Sequence, residues 1–151
     1  MIAVGETAPD FSLEGTGSRR YTLAEHRGAP VVLAFYPADG SPVCSIQLPD
    51  YSLDIEAFRE LGATLLAISP QDVESHEAFA RQVGIAFPLL ADPDRAVGRA
   101  YGIVGPLGFY RRAVVVVDGG GTVRHARRTL GYAYPSSESV LNATRKALVP
   151  A

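Results

Sequence analysis

The sequence predicts an α/β fold: a central mixed β-sheet flanked by helices, with a small N-terminal β-hairpin. Three observations predict it. Short, continuous apolar runs rich in β-branched or aromatic residues recur at 31–36, 63–68 and 113–117, the pattern of strands covered on both faces. Segments with apolar residues at helical spacing separate them, and such alternation implies parallel crossovers. After the third run, Gly119-Gly120-Gly121 and the more polar stretch Thr122 to Arg128 mark a hairpin with an exposed return strand.

The elements follow in order. Phe11-Ser12-Leu13 and Tyr21-Thr22-Leu23 flank a turn region holding Gly15 and Gly17, a hairpin expected to lie on the domain. Val31 to Tyr36 is the first buried strand. Tyr51, Ile55, Phe58 and Leu61 then share one helix face, and Gly62 supplies the stop. Ala63 to Ile68 is the second strand. Ser69-Pro70-Gln71-Asp72 reads as an N-cap, a proline at the first helical position and an acid three residues after the cap. The helix it opens carries His76, Phe79 and Val83 on its apolar face and ends at Gly84. Phe87 to Leu90 predicts a short strand near a sheet end, because Pro88 cannot donate to a ladder. Asp92-Pro93-Asp94 opens a short helix through Tyr101, closed by Gly102. Ser136 opens the last helix, with Val140, Ala143 and Ala147 on one face and Arg145 and Lys146 in the last turn, where cations are favoured. No linker-like stretch divides the chain, so one domain over 1–151 is expected.

Composition excludes several function classes. Apolar residues make up 47% and charged residues 20%, as in ordinary globular chains. The net charge of −2 gives no electrostatic case for nucleic acid or an anionic membrane as partner. Lys146 is the one lysine among 14 basic side chains, a skew read as compositional bias. The N-terminal Met1-Ile2-Ala3-Val4-Gly5-Glu6 has neither the basic nor the apolar region of a signal peptide. No apolar stretch approaches the roughly 20 residues needed to span a bilayer. A cytoplasmic, reducing compartment is therefore expected, in which a free thiol persists.

There is one cysteine, Cys44, so no intrachain disulfide forms. A lone Cys is an inert core residue, a thiol that pairs between chains, or a nucleophile. Burial statistics alone favour the inert role. Position argues the other way: Tyr36-Pro37-Ala38-Asp39-Gly40-Ser41-Pro42-Val43-Cys44 leads from a central strand into a helix. That places the thiol in a first helical turn at the carboxyl end of the sheet, where ligand sites lie and where free N–H groups favour a thiolate. The other candidates are weaker. His26, His76 and His125 have no ligand spacing, and His76 sits on an apolar face suited to core packing. Gly119 to Gly121 precedes a strand and reads as a turn, not a phosphate loop.

Pro37, Ser41 and Cys44, spaced as proline, three residues, serine, two residues, cysteine, resemble the signature of the peroxiredoxin family, whose middle position is Thr or Ser. Val4 to Leu13 resembles the family's opening segment. Val31 to Pro37 resembles its strand into the active-site loop, and Arg112 to Asp118 its arginine-headed strand. The likeness runs in order over about residues 2 to 148. It implies a thioredoxin-like fold and a thiol peroxidase of the one-cysteine type, most similar to the bacterioferritin comigratory protein subgroup. Family roles then fall on Cys44 as nucleophile, Ser41 as hydrogen-bond partner of thiolate and peroxide, Pro37 as a cover that excludes water, and Arg112 as the cation that favours the thiolate. Arg111 and Arg112 point to opposite faces; alternation alone does not choose between them, and the family position selects Arg112. There are departures. Where some members carry a second Cys, five residues on, this chain has Pro49; Gln47 stands where many have Glu, and Ser41 replaces the commoner Thr.

The resemblance implies hydrogen peroxide and small organic hydroperoxides as substrates, no metal, haem or flavin cofactor, and an external thiol or thioredoxin-like reductant. A thioredoxin-fold redox sensor or binding protein without sustained turnover is the alternative. A thiol–disulfide exchanger is disfavoured because Ser41 and Gln47 occupy the positions a second cysteine would need. Phe109-Tyr110, beside Pro106-Leu107, forms a candidate apolar patch for a homodimer.

Overall fold

The computed structural model describes residues 1–130 and 133–150. Gly131, Tyr132 and Ala151, which the expected domain also spans, lie outside the described residues. The strands are β1 (Ser12–Gly15), β2 (Arg19–Thr22), β3 (Val31–Phe35), β4 (Thr64–Ser69), β5 (Leu89–Ala91), β6 (Arg112–Val117) and β7 (Val123–Thr129). The helices are α1 (Cys44–Leu53), α2 (Ile55–Glu60), α3 (Val73–Val83), α4 (Ala96–Ala100) and α5 (Ser137–Ala147). The seven strands form one sheet in the order β2-β1-β5-β4-β3-β6-β7. β3, β4 and β5 run parallel, while β6 is antiparallel to β3 and β7 to β6, the mixed sheet expected.

Period-two alternation divides the core into two layers. Val32, Ala34 and Tyr36 join Val114 and Val116 on one face, under Leu48, Tyr51, Phe58, Phe79 and Val140. Val31, Leu33 and Phe35 join Ala113, Val115 and Val117 on the other, under Phe11, Tyr21, Tyr101 and Tyr110. Cys44 belongs to the first layer. Arg112 shares the parity of Val114 and Val116, so its side chain is directed to the same face as the thiol.

Several boundaries differ from expectation for local reasons. The hairpin does not lie on the domain; it extends the sheet edge through the pairing of Gly15 with Leu90. A Cβ at Gly15 would stand 2.9 Å from the Leu89 carbonyl, so the close approach requires glycine. The helix expected around Tyr51 to Leu61 is two helices, broken at Asp54, whose N–H closes a tight turn on the Tyr51 carbonyl (3.2 Å) and whose carboxylate accepts from Ser137 Oγ. Ser69 ends β4, paired with Ala91, and does not cap α3. The cap is Asp72, which accepts from Ser75 N at 2.8 Å. β5 begins one residue past Pro88. α4 starts at Ala96, behind Arg95 at φ 60°, with Asp92 accepting from the N–H groups of Val97 and Gly98. Gly84 at φ 71° closes α3, and Ser136 caps α5 by accepting from Ser139 N, both as expected. Among the described residues, no helix is long and apolar enough to cross a membrane.

Candidate active site

Cys44 is the first residue of α1, at the carboxyl end of β3, and is fully buried. Burial alone would suit an inert core thiol. Arg112, only 6% exposed, directs Nη2 at Cys44 Sγ from 3.1 Å. Its Nη1 donates to the side-chain carbonyl of Gln47. Among the described residues, Arg112 pairs with no carboxylate. A buried cation without an anion is costly. Cys44 Sγ is the ionisable atom beside it.

Ser41 meets the backbone of Cys44. Its Oγ accepts from the Cys44 backbone N–H at 3.4 Å, and its carbonyl accepts from Ser45 N at 2.9 Å, winding the first turn of the helix. Having accepted, the hydroxyl keeps its own proton to donate. Pro37 is half-buried at the start of the loop and is tied to the group through the chain, not by a side-chain hydrogen bond. Arg111, the alternative cation, lies instead against Gly105, on the other side of β6. His26 and His125 lie away from the thiol, and Tyr110, expected in an exposed patch, is buried with its hydroxyl on Asp92 Oδ2 at 2.8 Å. An open cavity of about 640 Å³ includes Glu14, Arg20, Asp72 and Asp94 but neither Cys44 nor Arg112. Among the described residues, no group of three or more His, Cys, Asp or Glu side chains could hold a metal ion.

The model of the AhpC/TSA family matches residues 4–126. The chain belongs to this family. Relatives carry the name peroxiredoxin. One is chloroplastic peroxiredoxin Q of Gentiana triflora, 34% identical over 125 residues, covering 82% of this chain and 58% of that protein. A putative peroxiredoxin of Mycobacterium tuberculosis is 36% identical over 113 residues, covering 75% of this chain and 72% of that protein. The chain thus spans little more than half of the plant relative. Among solved structures, the bacterioferritin comigratory protein of Xanthomonas campestris superposes with TM-score 0.84 at 29% identity, covering 90% of each chain. A mutant PrxQ of Xylella fastidiosa superposes with TM-score 0.89 at 25% identity over 99% of each. The chain is therefore a peroxiredoxin with the thioredoxin-like α/β fold.

Two groups of polar residues near this peroxiredoxin's thiol were not assembled by sequence reasoning, which noted Gln47 only as a departure and His76 only as a core residue. The first continues from Arg112: Gln47 Nε2 donates to Tyr51 Oη at 3.0 Å, and Tyr51 Oη donates to the Pro135 carbonyl at 2.5 Å. Burial pushes the Tyr51 phenol well above its usual range, so it stays a donor. Gln47 and Tyr51 are one helical turn apart, and with Cys44 they line one face of α1. That spacing was the available signal. The second group is Tyr36, Asp39 and His76. Tyr36 Oη donates to Asp39 Oδ1 at 2.6 Å, and His76 Nδ1 lies 2.6 Å from Asp39 Oδ2. His76 is buried as expected, but as a hydrogen-bonded partner of the active-site loop; nothing in the spacing of residues 36, 39 and 76 signals it.

Proposed function

We propose that this peroxiredoxin reduces hydrogen peroxide and small organic hydroperoxides through Cys44, and draws its electrons from an external thiol or a thioredoxin-like protein. The observation that carries this is the buried Arg112 guanidinium, 3.1 Å from Cys44 Sγ and, among the described residues, without a carboxylate. The Xanthomonas relative is described as having alkyl peroxide reduction activity, and the same substrate class is proposed for this chain.

In the first step the Cys44 thiolate attacks the near oxygen of the peroxide. An S–O bond forms, the O–O bond breaks, and the departing hydroxide or alkoxide takes a proton to leave as water or alcohol. Cys44 becomes a sulfenic acid. Arg112 stabilises the charge that moves from sulfur to the leaving oxygen, and its fixed fork of donors suits both ends. Ser41 donates its hydroxyl proton to the peroxide and holds it in line. Pro37 covers the site and limits water.

The chain has no second cysteine, so an external thiol condenses with the sulfenic acid, releasing water. A second thiol exchanges into the mixed disulfide and restores Cys44. Because Cys44 is fully buried, a reductant larger than a peroxide reaches it only when the loop before α1 opens. The free thiol fits a reducing cytoplasm. Pairing of two copies would use the exposed Leu107 and Phe109; sedimentation as a monomer at all concentrations, in both redox states, would remove that element.

Stopped-flow mixing of reduced protein with one equivalent of hydrogen peroxide, followed by mass measurement, tests the proposal. The expected result is a fast gain of one oxygen on Cys44 that is absent in Cys44→Ser, and sustained peroxide consumption when thiol is supplied. Reaction no faster than a free thiol, with organic peroxides failing as well, would overturn it. Oxidation that stops after one equivalent with every thiol tried would favour the sensor.

A further inference from the structure

The loop between β3 and α1 delivers Ser41 and Cys44, yet few backbone hydrogen bonds hold it; Ser41 N reaches the Ala38 carbonyl only at 3.4 Å. Side chains supply the anchorage, and they converge on Asp39. Its carboxylate is 5% exposed and the His76 ring is fully buried. Asp39 Oδ1 accepts from Tyr36 Oη at 2.6 Å, and Oδ2 accepts from Ser75 Oγ at 2.7 Å while facing His76 Nδ1 at 2.6 Å. Its backbone N–H donates to the side-chain carbonyl of Gln71.

The protons can be placed by elimination. His76 Nε2 lies 3.0 Å from the Leu90 carbonyl, which only accepts, so Nε2 carries hydrogen. Nδ1 faces a carboxylate that Tyr36 and Ser75 already supply with donors. Burial would raise the Asp39 carboxyl, but hydrogen bonds from His76, Tyr36 and Ser75 outweigh it and hold the group below its usual range. The buried carboxylate and the ring thus pair through Oδ2 and Nδ1, and the pair joins the loop to α3, and through Leu90 to β5.

We propose that Asp39 and His76 are positioning residues for the peroxidase reaction: their buried pair clamps the loop so that Ser41 and Cys44 meet the peroxide in line. The proposal rests on the peroxidase chemistry above. Neither side chain is hydrogen-bonded to the thiol, so each acts through the loop. A buried pair adds little net stability over an apolar filling, but breaking it strands a charge, so it holds its geometry firmly. Asp39 lies two residues before Ser41, close enough for a lost clamp to displace the hydroxyl, and small displacements are costly to an aligned attack.

The test compares Asp39→Asn, His76→Gln and the double variant with the parent, each first shown to be folded by circular dichroism. Two rates are measured on Cys44 in each: with hydrogen peroxide, and with iodoacetamide, which reports a reachable thiolate but needs no peroxide alignment. Each single variant is expected to lose about 10- to 100-fold in the peroxide rate while alkylation, which a freed loop can only ease, does not fall. The double variant should be no slower than the slower single one, because the residues act as a unit. If Asp39→Asn does not fold, His76→Gln, which keeps a donor for Leu90, bears the same comparison. An unchanged peroxide rate in a folded single variant overturns the proposal. So does an equal fall in both rates, which would mean general disorder of the site. A parent protein no faster with peroxide than a free thiol would overturn the peroxidase proposal itself, and the clamp with it.

Discussion

Gln47 accepts a hydrogen bond from Arg112 beneath the thiol, so a neutral amide shares the buried guanidinium with Cys44. The amide orients the cation without discharging it. Gln47→Glu would place an anion there, compete with the thiolate for Arg112 and make ionised Cys44 harder to form. The peroxide rate at pH 7 should then fall, by about 10- to 100-fold. An unchanged rate would show that the neutrality of Gln47 has no bearing on the thiol.

Arg112 should not tolerate its usual conservative replacement. Its two donors go to different atoms, Gln47 Oε1 and Cys44 Sγ, and a lysine ammonium cannot reproduce that planar fork. Arg112→Lys is expected to lower the peroxide rate about 10²- to 10³-fold, the usual cost of losing one preorganised donor. Arg111→Lys, on the other side of β6, should leave the rate within about twofold. Stopped-flow rates on both variants check this pair, and equal effects would sink the assignment.

How far the site was legible depends on what each residue's signal is. The strands β3 and β6 are buried end to end and β4 is buried beyond Thr64, and continuous apolar runs announce that directly. Cys44, Ser41 and Pro37 lie close in sequence, so their spacing alone carries a pattern. Arg112 comes from a distant strand and was chosen by family likeness; the parity of Val114 and Val116, which pack with Cys44, gives the physical reason. Gln47 was noticed only as a departure, since a buried amide and a surface amide look alike in sequence. His76 illustrates the limit: an apolar helix face correctly implied burial, but its partner Asp39 lies 37 residues away in a loop with no periodicity. Likewise the cap of α3 is Asp72 and not Ser69, because the ladder with Ala91 keeps Ser69 in β4.

Acid should weaken the fold through Asp39. Its carboxyl is held below its usual range in the native state, although burial opposes this, so the native state binds its proton less readily than the unfolded chain. The stabilisation is present above the ordinary aspartate range, near pH 4, and is lost as pH falls through the lower native value. Urea unfolding at pH 7 should show Asp39→Asn less stable by about 3 kcal/mol, the scale for breaking a buried pair. That gap should close as the pH falls below about 4. A gap independent of pH would mean that the carboxylate charge contributes nothing.

Gly98 lies in α4, among residues of the core layer opposite the thiol, and offers a control on stability without chemistry. A Cβ there would stand 2.5 Å from Tyr110 Cε1 and 2.9 Å from Val104 Cγ2. Tyr110 cannot easily yield, because its hydroxyl is held by Asp92 Oδ2 at 2.8 Å, and that same oxygen accepts from Gly98 N. Gly98→Ala should therefore cost about 1–3 kcal/mol through overpacking, despite the better helix propensity of alanine. The melting temperature should drop by about 3–10 °C. Since Tyr110 packs with Phe35 and Ala113 on the far face of the sheet, the peroxide rate on Cys44 should stay within about twofold. A stabilised protein would show that the ring moves aside freely; a slowed thiol would show that strain crosses the sheet at β3 and β6.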